Sequence, residues 1–148
     1  MSVAENVDLE RYQGKWHEIA RLPNRFEKDL DRVTANYKLL DNGKIQVINR
    51  GYIIGEDNYN EIEGIAKIPD KNQLAKIKVS FFRPFYGNYW ILALDDDYQY
   101  AIIGEPKRKY LWILAREKNL NEEVYQHLLR IAYLNDYDIS KIIKVNQQ

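Results

Sequence analysis

The two histidines are the first residues to consider for chemistry, because imidazole is a common metal ligand and proton carrier. His17 precedes Glu18, as in the zinc-binding motif of metalloproteases, but Arg21 stands where that motif places its second histidine. The other histidine, His127, falls on a predicted helix far along the chain. This pattern argues against a metal site and against a metalloprotease.

Other candidate catalytic groups also lack the surroundings that their chemistry needs. Asp95, Asp96 and Asp97 are consecutive, without the spacing and the following glycine of a calcium loop. Ser80 has no Gly-X-Ser-X-Gly around it and is predicted to face outward from a strand. The chain has no cysteine, which excludes disulfides and thiolate metal sites. We therefore expect a binding protein with no catalytic residue, no metal and no cofactor.

Alternation of apolar and polar residues indicates that strands position the site. From Ala75 to Phe81 every second residue is apolar, which is typical of a half-buried strand. Asn42-Gly43 separates two such runs, and this dipeptide is a strong signal for a hairpin. The runs 89–94 and 110–116 are mostly apolar on both faces, so each strand must be covered on both faces.

The order of elements predicts one all-β domain spanning residues 1–148. About eight strands follow one another between residues 15 and 116, then a helix over about 122–134 with Asn121 as its N-cap, and a short final strand over about 141–145. Antiparallel strands in succession close most simply into an eight-stranded up-and-down barrel, because closure removes exposed edges. The apolar stripe of the helix is expected to pack on the outside of this barrel.

The barrel topology brings two distant parts of the chain together at its closed end. Gly14-Lys15-Trp16 opens the first strand, and Arg116 ends the last strand of the barrel. A guanidinium stacked on an indole is worth about 0.5–2 kcal/mol, and its N–H groups can bind nearby carbonyls. We therefore predict that Gly14, Trp16 and Arg116 form a structural group that seals the barrel floor.

Composition limits the partners and the location of the protein. The 148 residues carry 22 basic and 22 acidic side chains, a net charge of +0, which argues against nucleic acid as a partner. No apolar run is long enough to span a bilayer, and residues 1–8 lack the apolar core of a signal peptide. Two locations stay open: the cell envelope (periplasm or outer membrane) if a targeting segment has been removed, and otherwise the cytoplasm.

Several segments carry a family resemblance. The three signature regions of the lipocalins resemble three places in the chain: Gly14-X-Trp16, Asp95-Asp96-Asp97-Tyr98 at a turn, and Arg116 before the helix. The chain is also similar to the bacterial outer-membrane lipocalins, and to their relatives apolipoprotein D and the plant temperature-induced lipocalins, in the segments 47–52, 79–87 and 110–116. Bacterial members usually carry a lipoprotein signal and an anchoring cysteine, and neither occurs in this sequence.

The resemblance implies binding and transport or storage of small hydrophobic ligands, for the bacterial members fatty acids or lysophospholipids, with a role in membrane maintenance or stress. Lipocalin enzymes of the prostaglandin isomerase type need a cysteine that this chain lacks, so we expect no enzyme activity. The ligand is expected inside the barrel. The predicted lining consists of Ala35, Tyr37, Val47, Asn49, Ile77, Val79, Phe81, Tyr89, Ile91, Tyr110 and Trp112.

At the open end, the basic loop residues are candidates for contact with a ligand carboxylate or phosphate: Arg83, Lys107, Arg108 and Lys109. Two alternative functions remain open. One is a lipocalin for a cyclic or planar ligand, such as a retinoid or haem. The other is a barrel filled by its own side chains that acts through its surface, as a homodimer or through membrane contact at the mouth by Phe26, Phe85 and Tyr86.

Overall fold

The alternating segments of the sequence form a closed antiparallel β-barrel in the computed structural model, which describes residues 1–82 and 85–148. No side-chain position is described for residues 82–85, so the predicted roles of Arg83 and Phe85 lie outside the described residues. The described strands of the barrel are β1 Gly14–Arg21, β2 Leu30–Leu39, β3 Ile45–Ile53, β4 Asn58–Lys67, β5 Lys76–Phe82, β6 Phe85–Leu94, β7 Tyr100–Gly104 and β8 Leu111–Ala115.

The barrel closes because β1 pairs with both ends of the sheet. Each strand from β2 to β8 pairs with the next one, and β1 pairs with β8 on one side and with β2 on the other. A short strand, β9 (Ile143–Lys144), pairs with the second half of β1. The predicted eight-stranded up-and-down barrel with one extra strand is therefore confirmed.

One main helix, α2 (Glu122–Leu134), covers the outer face of the barrel. Its first turn is capped by Asn121, whose side-chain oxygen accepts hydrogen bonds from the backbone N–H groups of Glu123 and Val124. Leu128 and Ala132 of the helix are fully buried against the outward-facing Ile113. This contact explains why the run 110–116 is apolar on both faces.

A bulge in β1 decides which of its side chains point into the barrel. The pairing of β1 with β8 shifts between Glu18 and Ala20, so Ile19 is an extra residue in the strand. Before the bulge, Glu18 pairs with the inward-facing Leu114, and after it Arg21 pairs with the inward-facing Trp112. Both charged side chains therefore face the barrel interior.

The sequence did not predict two short helices or the burial of one outward-facing residue. A four-residue helix, α1 (Leu9–Tyr12), precedes β1, and a 3-10 turn (Ile139–Lys141) precedes β9. Ser80, which is predicted to face outward, is only 3% exposed, and its hydroxyl has no partner among the described residues. No helix in the described part of the chain is long and apolar enough to cross a membrane.

Candidate functional site

The floor of the barrel is sealed by Arg116 and Trp16. The Arg116 guanidinium carbon lies 3.9 Å from the centre of the Trp16 ring, and the indole is completely buried. The guanidinium also donates hydrogen bonds of 2.8–3.1 Å to the backbone carbonyls of Arg11, Gln13, Lys15 and Tyr98. Charge-assisted bonds of this kind are about twice as strong as neutral ones, so one side chain joins residues 11–15 to the turn at Tyr98.

Gly14 is required by this arrangement. Its φ of +98° lies in a region that residues with a Cβ rarely adopt, and a Cβ there would lie 3.3 Å from Nη1 of Arg116. The Trp16 indole N–H donates a 2.9 Å hydrogen bond to the carbonyl of Tyr12 in α1. This hydrogen bond ties the last residue of α1 to the buried indole.

Above the floor, the predicted lining residues lie together on the inner face. Nine of them belong to one hydrophobic cluster with Trp16: Ala35, Tyr37, Val47, Ile77, Val79, Phe81, Tyr89, Ile91 and Trp112. Asn49 pairs with the inward-facing Ala35, and Tyr110 stacks parallel to Trp112 with 5.7 Å between the ring centres.

Exposure to solvent differs among the residues of the inner face. Ile91 and Ile103 are fully buried, whereas Asn49, Phe81 and Trp112 keep solvent-accessible surface although they face inward. A side chain that faces the inside of a closed barrel can be accessible only where the interior is not filled. The interior is therefore filled at Ile91 and Ile103 and accessible around Asn49, Phe81 and Trp112, and we call this accessible part of the interior the cup.

Three tyrosines form a chain of hydroxyl groups inside the barrel. The hydroxyl oxygens of Tyr12 and Tyr89 are 2.6 Å apart, and the Tyr89 hydroxyl donates a 2.7 Å hydrogen bond to the Tyr37 hydroxyl. Burial raises the pKa of all three side chains, so they remain neutral hydroxyls. These three hydroxyl groups lie next to the floor of the barrel, because Tyr37 pairs with Gly14 at the start of β1.

A second polar cluster lies on the inner wall near the mouth. The Arg21 guanidinium lies 3.3 Å from the Glu18 carboxylate and 3.7 Å from the Glu27 carboxylate, and it donates hydrogen bonds to the carbonyls of Glu27 and Leu30. Burial, and after it the charge of Glu27, raises the pKa of Glu18 well above its usual value. Glu18 is therefore the carboxyl that holds a proton, and the cluster carries no net charge.

Glu27 joins this cluster to the aromatic wall. Its carboxylate accepts hydrogen bonds of 2.7 Å from the Trp112 indole and 2.9 Å from the Asn24 amide. Burial raises the pKa of Glu27, but the hydrogen bonds from Glu18, Trp112 and Asn24 outweigh it, so the pKa lies below its usual value. Glu27 is thus the ionised partner of Arg21.

Aromatic rings continue from this wall to the rim. The ring centre of Phe26 lies 6.2 Å from that of Tyr110, which in turn stacks on Trp112. Phe26 is 62% exposed, so the row of rings runs from solvent into the cup. Tyr86, which was expected to be an exposed rim residue, is partly buried, with the Lys67 ammonium 4.0 Å from its ring centre.

The predicted basic residues of the mouth have different surroundings. Lys107 and Lys109 are exposed on the loop between β7 and β8. The Arg108 guanidinium already has partners, because it donates hydrogen bonds to the carbonyls of Asn135 and Pro106 and lies 3.7 Å from the Asp136 carboxylate. These contacts hold the Arg108 side chain at the C-terminal end of α2.

Sequence reasoning missed the charged residues inside the barrel: Glu18, Arg21 and Glu27. Glu18 was considered only as part of a zinc motif, and in the described part of the chain no group of three metal-ligating side chains is found. One local signal in the sequence was Asn24, a residue type that favours turns. Its side-chain oxygen accepts hydrogen bonds from the backbone N–H groups of Phe26 and Glu27, and this turn directs the loop inward.

The sealed floor, the inward aromatic wall and the open cup define a calyx-type barrel, a class of protein that holds small apolar molecules. The family model described as a lipocalin-like domain matches residues 7–147. The chain belongs to the lipocalin-like family, which binds and transports small hydrophobic ligands. The resemblance predicted from the sequence motifs is therefore confirmed.

Named relatives cover almost the whole chain. It is 44% identical to the outer membrane lipoprotein Blc of Escherichia coli (strain K12), over 99% of this chain and 83% of that protein. It is 42% identical to temperature-induced lipocalin-1 of Arabidopsis thaliana, again over 99% and 83%. Among solved structures, insecticyanin from the tobacco hornworm Manduca sexta matches with a TM-score of 0.78 and 29% identity, covering 99% of this chain and 84% of that one.

Proposed function

We propose that this protein binds single-chain lipids, fatty acids or lysophospholipids, with the acyl chain inside the cup. The observation that carries this proposal is the stacked pair Tyr110–Trp112, which faces inward, keeps accessible surface and stands above a sealed floor. Each buried methylene contributes about 0.8 kcal/mol, reduced by the cost of ordering the chain. An elongated chain suits a narrow barrel that is open at one end.

The charged head group is proposed to stay at the mouth, near Lys107 and Lys109. Both ammonium groups are exposed and neither forms a salt bridge within the described residues. The inner wall is less suitable for a carboxylate or phosphate, because Arg21 is already bound to Glu18 and Glu27. Exposed ion pairs are worth about 0–1 kcal/mol, so the head group adjusts affinity and the acyl chain supplies most of it.

The proposed role is that of a carrier and not of an enzyme. Ser80, a candidate nucleophile, has a buried hydroxyl with no histidine or carboxylate bound to it in the described part of the chain. We place the function in membrane maintenance or stress, because relatives are named an outer membrane lipoprotein and a temperature-induced lipocalin. Phe26 and Ile54, 62% and 55% exposed on mouth loops, are proposed to touch the lipid surface from which the ligand comes.

The test is a titration of tryptophan fluorescence with hexadecanoic acid and with its lysophosphatidylcholine. Trp112→Phe should remove the saturable change, because this indole lines the cup, whereas the matched variant Trp90→Phe should keep it, because Trp90 lies in the outer cluster. Retinol as a competitor tests the planar-ligand alternative, which the parallel rings of Tyr110 and Trp112 also suit. No change with any ligand, in protein shown by mass spectrometry to be lipid-free, would mean that the proposal is wrong.

A further inference from the structure

The hydroxyl chain Tyr12–Tyr89–Tyr37 has one more hydrogen than it uses. Each tyrosine hydroxyl carries a single hydrogen and can also accept. Since Tyr89 donates to Tyr37, the 2.6 Å contact between Tyr12 and Tyr89 must be donated by Tyr12. The hydrogen of Tyr37 then has no acceptor among the described residues, although the side chain is only 7% exposed. Reversing the chain would leave the spare hydrogen on Tyr12 instead, so one donor is unused in either direction.

We propose that this tyrosine chain is a polar anchor for an uncharged oxygen, a hydroxyl or a carbonyl group, at the buried end of the ligand. The proposal rests on the function proposed above and names the ligand class more closely: acyl chains that carry an oxygen at the end remote from the head group. The spare donor is Tyr37, and Tyr89 and Tyr12 orient its hydroxyl through the two hydrogen bonds of the chain.

The position of the anchor supports a ligand with two polar ends. Tyr37 pairs with Gly14 at the floor and with Val47, which is also buried inside the barrel. Lys107 and Lys109 lie at the opposite end, on the β7–β8 loop. An acyl chain with its carboxylate at the mouth and its tip at the floor would bring a terminal oxygen next to the Tyr37 hydroxyl. A plain methyl end would leave that donor unpaired in an apolar site.

The charges around the anchor favour an uncharged oxygen over a second carboxylate. The negative charge of Glu27 contributes to raising the pKa of Tyr37, after the larger effect of burial. A second anion would be repelled in the same way and would also lose its hydration. Arg21, the nearby cation, is already bound to both carboxylates and to two carbonyls. A neutral hydroxyl or carbonyl oxygen needs only the one donor that Tyr37 supplies.

The experiment compares matched ligands that differ by one oxygen. Dissociation constants are measured for dodecanoic, tetradecanoic and hexadecanoic acid and for their terminal hydroxy derivatives, with the wild type, Tyr37→Phe and the control Tyr110→Phe. Tyr110 also faces the cup, but it is near the mouth and away from the hydroxyl chain. We expect the preference for the hydroxy acid of fitting length over the plain acid to fall about tenfold in Tyr37→Phe, the typical effect of one buried hydrogen bond. Tyr110→Phe should leave the ratio between the two ligands unchanged.

The outcomes separate this proposal from the function on which it rests. If plain and hydroxy acids bind but their ratio is the same in Tyr37→Phe as in the wild type, the anchor is wrong and lipid binding stands. If neither kind of acid binds to the wild type, the proposed function is wrong and the proposal of a polar anchor is wrong as well. If Tyr37→Phe does not fold, Tyr89→Phe serves as the second variant. It removes both hydrogen bonds between the three tyrosines, and it should also lower the preference for the hydroxy acid.

Discussion

The Trp112 indole nitrogen lies 2.7 Å from the Glu27 carboxylate and donates a hydrogen bond to it. The two residues are far apart in the sequence: Trp112 is on β8, and Glu27 is on the loop that follows β1, the strand that pairs with β8. Arg21 binds the same loop through the backbone carbonyl of Glu27. The loop over the cup is therefore held by polar bonds to the inner wall, and the indole that should report on the ligand also reports on this loop.

The first prediction concerns this contact. Glu27→Ala removes the hydrogen-bond acceptor of the Trp112 indole and one of the two carboxyl partners of Arg21. The variant should lower the free energy of unfolding, measured in urea, by about 1–3 kcal/mol, because this is the usual cost of leaving a buried donor unpaired. The matched control is Glu56→Ala on an exposed mouth loop, which should change stability by less than about 0.5 kcal/mol. Equal stability of the two variants would contradict the role given to Glu27.

The second prediction is a pH dependence with a definite sign. Because the pKa of Glu18 is raised from an ordinary value of 4.5, the folded protein holds a proton that the unfolded chain releases, and stability contributed by Glu18 falls as the pH rises above about 4.5. In Glu18→Gln the amide oxygen can still accept from Arg21 and the amide N–H can still donate to Glu27. Because the amide does not titrate, the variant does not lose stability by releasing a proton. The variant should therefore gain stability relative to the wild type as the pH is raised from 4.5 to 8.

Urea unfolding at several pH values checks this prediction, and comparison with the wild type cancels other groups such as His17, whose pKa is lowered by burial. Glu27 should show the opposite sign. Its folded pKa is lowered, so its stabilising effect is present above the pKa of the unfolded chain and is lost on acidification. A Glu18→Gln variant whose stability ran parallel to the wild type over this range would refute the assignment of the proton to Glu18.

The third prediction tests the floor. Arg116→Ala removes the stacking on Trp16 and four hydrogen bonds to carbonyls, and it should cost about 2–4 kcal/mol of stability. Arg130→Ala, on the exposed face of α2, is the matched control and should be nearly neutral. Differential scanning calorimetry of both variants measures the difference. A small effect in Arg116→Ala would show that the floor holds without this side chain.

The fourth prediction compares two glycines in neighbouring parts of the barrel. A Cβ on Gly64 would lie 2.6 Å from the Phe81 ring and 2.7 Å from the backbone oxygen of Ser80, whereas a Cβ on Gly87 would meet nothing within 4 Å. Gly64→Ala should therefore destabilise the protein by about 1–3 kcal/mol and displace Phe81 from the lining, while Gly87→Ala should not. Urea unfolding and the lipid titration measure the two effects. Identical behaviour of both variants would contradict the packing of Phe81 on Gly64.

The fifth prediction separates the basic residues of the mouth. Replacing Lys107 and Lys109 together by Gln should weaken binding of hexadecanoic acid by about two- to fivefold, as expected for exposed charges, and leave its methyl ester unchanged. Arg108→Gln should not alter either affinity, because its guanidinium is bound to Asn135, Pro106 and Asp136. Isothermal titration calorimetry gives the six affinities, for the wild type and the two variants with each ligand. Loss of acid binding in Arg108→Gln alone would restore the original prediction for that residue.

Much of the lining could be predicted because alternation along a strand is a local property. Ile77 and Phe81 share a face in the sequence pattern, and they share the inner cluster in the structure. Arg108 shows the limit of such reasoning. The sequence placed it correctly on a mouth loop, but its side chain is long enough to reach the end of α2, and only packing of that helix provides the carbonyl that holds it.

The sequence by itself determined the ring of strands, the outer helix and the pairing of Trp16 with the closed end, because these follow from periodicity, caps and turn residues. Only the tertiary structure decided that Glu18 and Arg21 both face inward, since a one-residue bulge at Ile19 changes the side of every residue after it. The tertiary structure also decided that Glu27 forms a hydrogen bond with Trp112. The partners in a buried polar cluster depend on which distant segments come together when the barrel closes.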